Sequence, residues 1–318
     1  MRKTAIVLAA ACLIALCGAI AACRGADTRA KPAASNEPRY RGLYISNKYS
    51  VNLPFMKRLV ERGKPLGVNM LVIDVHPYKI LRPRINKEVI DYLKSENLYL
   101  VARVVCFQDG LDKLPVPEPY MERLMNVFNT ALTYDFPEIQ LDYIRFKDGG
   151  VPYSLKRKYD YIADLLQSFR TISNARGVKL SADLFGRVMY NKNDPIGQQL
   201  ELFARYTDVI YPMLYPSHFT GDRQRLSNPG ATIKEGTMLG INRLSGTQVR
   251  VLPYVQAFGY NIGWARVNLV KYVELQVIAV EETPAGGWVA WNAKGDYESV
   301  FRALDNLKAP VASQVETR

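Results

Sequence analysis

Apolar and polar positions along the chain follow two periods. Short β-rich apolar runs recur at residues 42–45, 70–75, 99–107, 139–144, 179–185, 208–213, 251–256 and 288–291, and each reads as a strand. Between them apolar residues return at helical spacing, at 53–63, 88–97, 118–134, 155–177, 197–206, 264–282 and 297–307, and these segments predict helices. From residue 43 to residue 289 the strand centres recur about every 35 residues, enough for one strand, one covering helix and two short loops. Repeated along the chain, such units predict an α/β fold, a single (β/α)8 TIM barrel over residues 40–310. A doubly wound open sheet is the competing architecture. However, Ile45-Ser46-Asn47-Lys48 follows the first strand, where that fold carries a glycine-rich phosphate turn.

The ends of the chain are patterned differently. Met1-Arg2-Lys3 opens positively, residues 4–22 are almost wholly apolar, and small residues precede Cys23, so residues 1–22 read as an export signal. An apolar membrane-spanning anchor is the alternative. Ile20-Ala21-Ala22-Cys23 resembles the lipobox of bacterial lipoproteins, which implies a lipid on Cys23 and a place at the cell envelope, on the outer membrane or its periplasmic face. Residues 23–39, rich in Ala, Arg, Lys, Pro and Ser, read as a flexible tether, and residues 311–318 as a disordered tail. Cys12 and Cys17 leave with the signal, so Cys106 stands without a disulfide partner in an apolar run where a buried thiol is expected.

Composition adjusts this picture only slightly. With 48% apolar and 23% charged residues the chain can bury a large core, and disorder as its main state is excluded. Two histidines leave little for a His- or Cys-based metal site, and neither metal nor cofactor is expected. The formal charge of +12 falls to +10 without Arg2 and Lys3, and the surplus is scattered over Lys57, Arg58, Arg62 and Lys64, Arg82 and Arg84, and Lys156, Arg157 and Lys158. No basic stripe emerges. The expected setting is that of an exported monomer beside an anionic membrane or wall polymer, without a nucleic-acid partner.

A TIM barrel builds its chemistry at the C-terminal ends of its strands, and polar residues collect there. Asp74 and His76 close strand two, Asp142 and Arg145 strand four, and Asp183 lies on strand five; Tyr211, Tyr215 and His218 follow from strand six, Gln256 from strand seven, and Trp291 and Asn292 from strand eight. A carboxylate inside the apolar run 139–146 is costly to bury uncompensated, and Arg145 is the expected counter-charge of Asp142, either for chemistry or as a structural pair closing the barrel top. Asp183, between Ala182 and Leu184, has a hydrogen bond to a neighbouring loop as its alternative role. Adjacent strands lie about 4.8 Å apart, so the two carboxyls are expected close together, where paired acids split their pKa values. One protonated and one ionised carboxyl is what glycoside hydrolysis requires. Tyrosine supplies 20 of the aromatic residues, against 11 Phe and 3 Trp, with Tyr44, Tyr211, Tyr215, Tyr254 and Trp291 placed near the mouth. Residues 219–230 read as a long loop over that face, either a lid or a plain surface loop.

The runs Glu138-Ile139-Gln140-Leu141-Asp142-Tyr143-Ile144-Arg145-Phe146, Leu180-Ser181-Ala182-Asp183-Leu184-Phe185-Gly186, residues 208–218 and Gly287-Trp288-Val289-Ala290-Trp291-Asn292-Ala293 together resemble the bacterial "putative glycosyl hydrolase" barrel family. The resemblance implies a (β/α)8 fold and a carbohydrate-active site, with Asp142 the nucleophile or transition-state stabiliser and Asp183 the general acid/base. Asp74, His76, Arg145, His218, Gln256 and Asn292 would then orient sugar hydroxyls. The chain departs from the family pattern where Lys147 follows Phe146 in place of a proline, and in a short 108–115 segment after strand three. Three readings of function stay open: a glycosidase acting on an envelope polysaccharide, a carbohydrate- or peptidoglycan-binding lipoprotein on the same barrel, and a barrel hydrolase of another substrate.

Overall fold

Each strand is covered on both faces, and its two faces carry different side chains. The computed structural model describes residues 38–308; the expected export signal, Cys23, most of the tether and the 311–318 tail lie outside them. The strands are β1 (Tyr40–Ile45), β2 (Met70–Asp74), β3 (Tyr99–Val105), β4 (Glu138–Asp142), β5 (Lys179–Phe185), β6 (Val209–Met213), β7 (Arg250–Val251), β8 (Tyr254–Gln256) and β9 (Gly287–Trp291). All pairings are parallel, in the order β7-β6-β5-β4-β3-β2-β1-β9-β8. The expected seventh strand is split into β7 and β8 because Pro253 has no N–H to give the ladder. It still joins both neighbours: Leu252 N donates to Ile210 O at 3.0 Å, and Val289 N donates to Pro253 O at 3.1 Å. The segment between β6 and β9 therefore closes the ring of a (β/α)8 TIM barrel.

The covering helices are α1 (Leu53–Gly63), α2 (Lys87–Ser95), α3 (Glu118–Leu132), α4 (Leu155–Ala175), α5 (Leu200–Ala204), α6 (Pro229–Arg243), α7 (Leu269–Glu281) and α8 (Glu298–Lys308). Helix α6 is not announced by the periodicity, because Gly230, Gly236 and Gly240 interrupt its apolar stripe. They let the helix press close, so that a Cβ on Gly236 would meet the Leu214 side chain at 2.4 Å. The expected 219–230 loop holds a short helix, Arg223–Ser227, and runs directly into α6.

Period-two alternation sorts the strand residues. Leu43, Ile45, Leu71, Ile73, Leu100, Ala102, Ile139, Leu141 and their equivalents belong to a large apolar cluster with the helices. A second cluster fills the barrel with Tyr40, Tyr44, Met70, Val72, Val101, Tyr211, Tyr254 and Val289. Several interior residues are tyrosines because the same positions also carry polar groups that need donors. Glu138, Gln140 and Asp142 form an inward column on β4; Tyr211 donates to Glu138 at 2.8 Å and Tyr254 to Gln140 at 2.9 Å.

Burial pushes the Glu138 carboxyl above its ordinary range, against the hydrogen bonds from Ser181, Tyr211 and Tyr99. A carboxyl with a raised folded pKa gives stability that is complete below the unfolded pKa and is lost as pH rises through the folded value. Glu138→Gln is expected to flatten the dependence of unfolding free energy on pH from about pH 4 upward, measured by urea denaturation; an unchanged dependence would contradict a neutral Glu138. Barrel closure has its own test at Gly287, whose φ of 130° is left to glycine and whose Cβ would fall 1.9 Å from Tyr40 O on β1. Gly287→Ala should cost at least about 3 kcal/mol in the same assay, because β9 and β1 must separate.

Candidate active site

The C-terminal half of the barrel interior is organised around one cation. Arg103 on β3 stands in register with Asp74 on β2, and the inward phase of β4 and β5 brings Asp142 and Asp183 to the same level. Its guanidinium is buried and reaches all three: Nη1 pairs with Asp74 Oδ1, Nη2 with Asp142 Oδ2, and Nε with Asp183 Oδ2 at 3.3 Å. Tyr44 donates to the other oxygen of Asp74 at 2.6 Å and lies under the guanidinium, 5.2 Å from its ring centre. Burial opposes the charge on Arg103, but Asp74 and Asp142, with Tyr44 and Asp183, hold it protonated well above the usual guanidinium range.

Asp142 is the last residue of β4, and the chain leaves the strand through Tyr143 at φ 58°, a left-handed conformation rare for an aromatic residue. That turn brings Tyr143 N to Asp142 Oδ1 at 2.5 Å, so both oxygens of Asp142 are engaged by the protein. Asp183 differs. Its Oδ1 is buried and receives no hydrogen bond among the described residues. Burial raises its pKa well above the carboxylate range, the adjacent Asp142 raises it further, and Arg103 opposes both. Burial and the neighbouring Asp142 thus both favour the neutral form of Asp183.

Above this floor opens a cavity of about 730 Å³. Asp142, Asp183 and Arg103 lie at its base, and Tyr143, Phe185, Tyr215, His218, Tyr254, Phe258, Tyr260 and Trp291 among its walls. The aromatic wall is continuous: Trp291 packs on Tyr44, Tyr215 and Phe258 at ring separations of 5.5, 5.9 and 5.4 Å. Burial lowers the His218 pKa, leaving a neutral ring against Tyr215 and Phe258.

The structure brings Asp142, Asp183, Tyr215, His218, Tyr254 and Trp291 to the cavity and sends other expected residues elsewhere. Arg145 is not the partner of Asp142. The left-handed Tyr143 ends the strand alternation, so Arg145 stacks on Tyr143 and Phe185 and donates to Phe146 O at 3.0 Å. Asp74 serves Arg103 and Tyr44 beneath the cavity. His76 has both ring nitrogens occupied, Nε2 accepting from Val105 N and Nδ1 facing the carbonyls of Pro77 and Ile80, each at 3.0 Å. Tyr211 lies deeper, bonded to Glu138. Gln256 ties Ser217 N to the carbonyls of Phe258 and Tyr260, and Asn292 bridges Ala257 O and Lys294 N. These amides shape the rim loops instead of meeting a ligand. Cys106 is buried and its thiol pushed up by that burial, which leaves it inert. Sequence reasoning missed the cavity residues Tyr143, Phe185, Phe258 and Tyr260 and, most consequentially, Arg103, although a lone charge in phase with the interior of an apolar strand is the same signal that marks Asp142. Among the described residues no group of His, Cys, Asp or Glu is arranged to hold a metal ion, and the three aspartates surround a guanidinium.

The family described as a "putative glycosyl hydrolase domain" matches residues 115–297. No curated protein sequence matches the chain. Among solved structures, a chitinase from Chromobacterium violaceum superposes with a TM-score of 0.58 at 12% identity, covering 86% of this chain and 100% of its own. The spore cortex-lytic enzyme SleL of Bacillus megaterium gives 0.58 at 10%, covering 86% and 75%. The endo-1,4-beta-mannanase of Rhizomucor miehei gives 0.59 at 12%, covering 83% and 89%. At these identities the likeness is one of fold.

Removing the central cation leaves buried carboxylates uncompensated. Arg103→Leu should cost about 3–5 kcal/mol at neutral pH and less in acid, where the aspartates take up protons; denaturant unfolding at the two pH values checks this, and equal losses at both would be inconsistent with the charge cluster.

Proposed function

This chain belongs to the family described as a putative glycosyl hydrolase domain, and from that premise we propose that it is a glycoside hydrolase acting on a polysaccharide at the cell envelope. The observation that carries the proposal is Asp183: a carboxyl kept protonated by burial and by Asp142, with one oxygen free of protein donors, at the base of an aromatic-walled cavity in the C-terminal mouth of the barrel. Aromatic faces suit the C–H faces of sugar rings, and a retained proton suits an acid catalyst.

In this reading Asp183 gives its proton to the glycosidic oxygen. The bond from that oxygen to the anomeric carbon breaks, and the alcohol departs. Positive charge develops on the anomeric carbon and ring oxygen, beside the Asp142 carboxylate. Water adds to the anomeric carbon and returns a proton to Asp183, which restores the pair. Asp142 stabilises charge instead of attacking, because Arg103 and Tyr143 N occupy both of its oxygens. A lipid on Cys23 would hold the barrel at the envelope where such a polymer lies. The alternative of a non-catalytic binder is favoured by one observation: both oxygens of Asp74 and Asp142 are already engaged within the protein.

Asp183→Asn should lower kcat by on the order of 10²–10⁴-fold with KM little changed and the fold intact, measured by product release from aryl-glycosides and a polysaccharide panel. In the unmodified protein the raised Asp183 pKa places the alkaline limb of kcat/KM above the ordinary carboxyl range, since activity is lost as pH rises through that value. Full turnover by Asp183→Asn would refute the assignment. Tight binding of a glycan without released product would favour the binder.

A further inference from the structure

Two rim segments leave the cavity side by side. Phe219 and Thr220 on one, and Phe258 and Tyr260 on the other, line the cavity. A few residues further along the chain the same two segments line a second open hollow, with Arg223 and Ser227 from the first and Asn261, Trp264 and Arg266 from the second. Asn261 Nδ2 reaches Ser217 O at 3.5 Å and ties the two together. Tyr260 and Trp264, 57% and 47% exposed, are among the most exposed large apolar side chains, and they stand in succession along this path.

The charges along the path are opposed. The cavity floor carries Asp142 and Asp183 beside Arg103, with Asp74 on the same guanidinium beneath it, and Arg187 at the cavity edge is paired with Asp148 and Asp194. Arg225, next to the hollow, is paired with Asp222 and Glu235. Arg223 and Arg266 are exposed and have no ion pair among the described residues; the guanidinium of Arg223 lies over the Trp264 ring, 5.7 Å from its centre. An exposed indole whose ring is stacked by one guanidinium, with a second arginine lining the same hollow and neither of them in an ion pair among the described residues, matches a sugar that bears an anion. The acidic floor disfavours the same anion at the point of cleavage.

We infer that the hollow at Trp264 is a distal subsite for a negatively charged sugar, carrying carboxylate or phosphate, of a polysaccharide that runs past Tyr260 into the cavity. The inference rests on the glycoside-hydrolase reading for the position of the scissile bond, and its test reads binding, so the two can fail separately.

Calorimetry on the whole protein bearing Asp183→Asn, with an oligogalacturonate, a glycerol-phosphate oligomer and a neutral chitooligosaccharide of equal length, measures the preference directly. An anionic probe is expected to bind more tightly than the neutral one, with an affinity that falls as salt rises. The uronate and phosphate arms distinguish the source of the charge. Arg223→Gln with Arg266→Gln should weaken anionic binding by on the order of tenfold or more and remove the salt dependence, and Trp264→Ala should weaken it as well. These side chains are exposed, so thermal unfolding is expected to be unchanged. Equal affinities for charged and neutral probes, no binding of either anion, or an unaffected double variant would overturn the subsite. Anionic binding that depends on these arginines, together with no cleavage of any of the glycans by the unmodified protein, would retain the subsite and reject the hydrolase reading.

Discussion

The guanidinium of Arg103 is the constraint around which the upper half of the barrel is arranged. Three carboxyls and one cation have been taken out of water together, at a cost that Coulomb attraction in a low-dielectric interior offsets only when nearly every donor and acceptor is used. Here they nearly are. Each arm of the guanidinium meets a different aspartate, Tyr44 caps Asp74, and the amide of Tyr143 caps Asp142. The cluster joins β2, β3, β4 and β5 through side chains, where their inward residues would otherwise be apolar layers. The satisfaction is incomplete at one point: one oxygen of Asp183 has no donor among the described residues, while burial first and Asp142 second raise the pKa of that carboxyl.

Below that level the barrel solves a second problem with the same side-chain type. A column of polar residues on β4 needs partners inside a closed sheet, and tyrosine supplies a hydroxyl on a ring that also fills volume. Tyr211 serves Glu138, Tyr254 serves Gln140 and Tyr44 serves Asp74, while their rings form the interior cluster. The tyrosine-rich composition is thus a property of the barrel interior as much as of its mouth.

The eight units were legible because strand and helix periods alternate along the chain at nearly constant spacing. Asp142 and Asp183 were legible because charge inside an apolar strand must be compensated. The rest depended on what periodicity does not carry. Arg145 stands three residues after Asp142, but a left-handed turn at Tyr143 intervenes, and no local residue preference announces φ > 0 for a tyrosine. Arg103 lies 39 residues away in sequence and became the partner only when β3 and β4 paired. His76, Gln256 and Asn292 were rightly placed at strand ends, yet strand position does not say whether a polar side chain meets backbone or solvent, and here all three meet backbone. The glycines of α6 weakened its helical signal for the very reason that the helix packs closely there.

The aromatic wall and the acidic floor act on one another. A wall of Tyr215, Tyr254, Phe258 and Trp291 presents little polar surface to water above Asp183, and desolvation is the first cause of its raised pKa. In the proposed hydrolase a sugar ring seated on that wall would displace the remaining water and lower the local dielectric further. That would strengthen the preference of Asp183 for its neutral form in the ground state, and the field of Asp142 on any cation formed beside it in the proposed reaction. On that reading proton retention and cation stabilisation would both increase as the cavity fills, so the same aromatic contacts that would hold a ligand would also set the acid–base state of the pair beneath it.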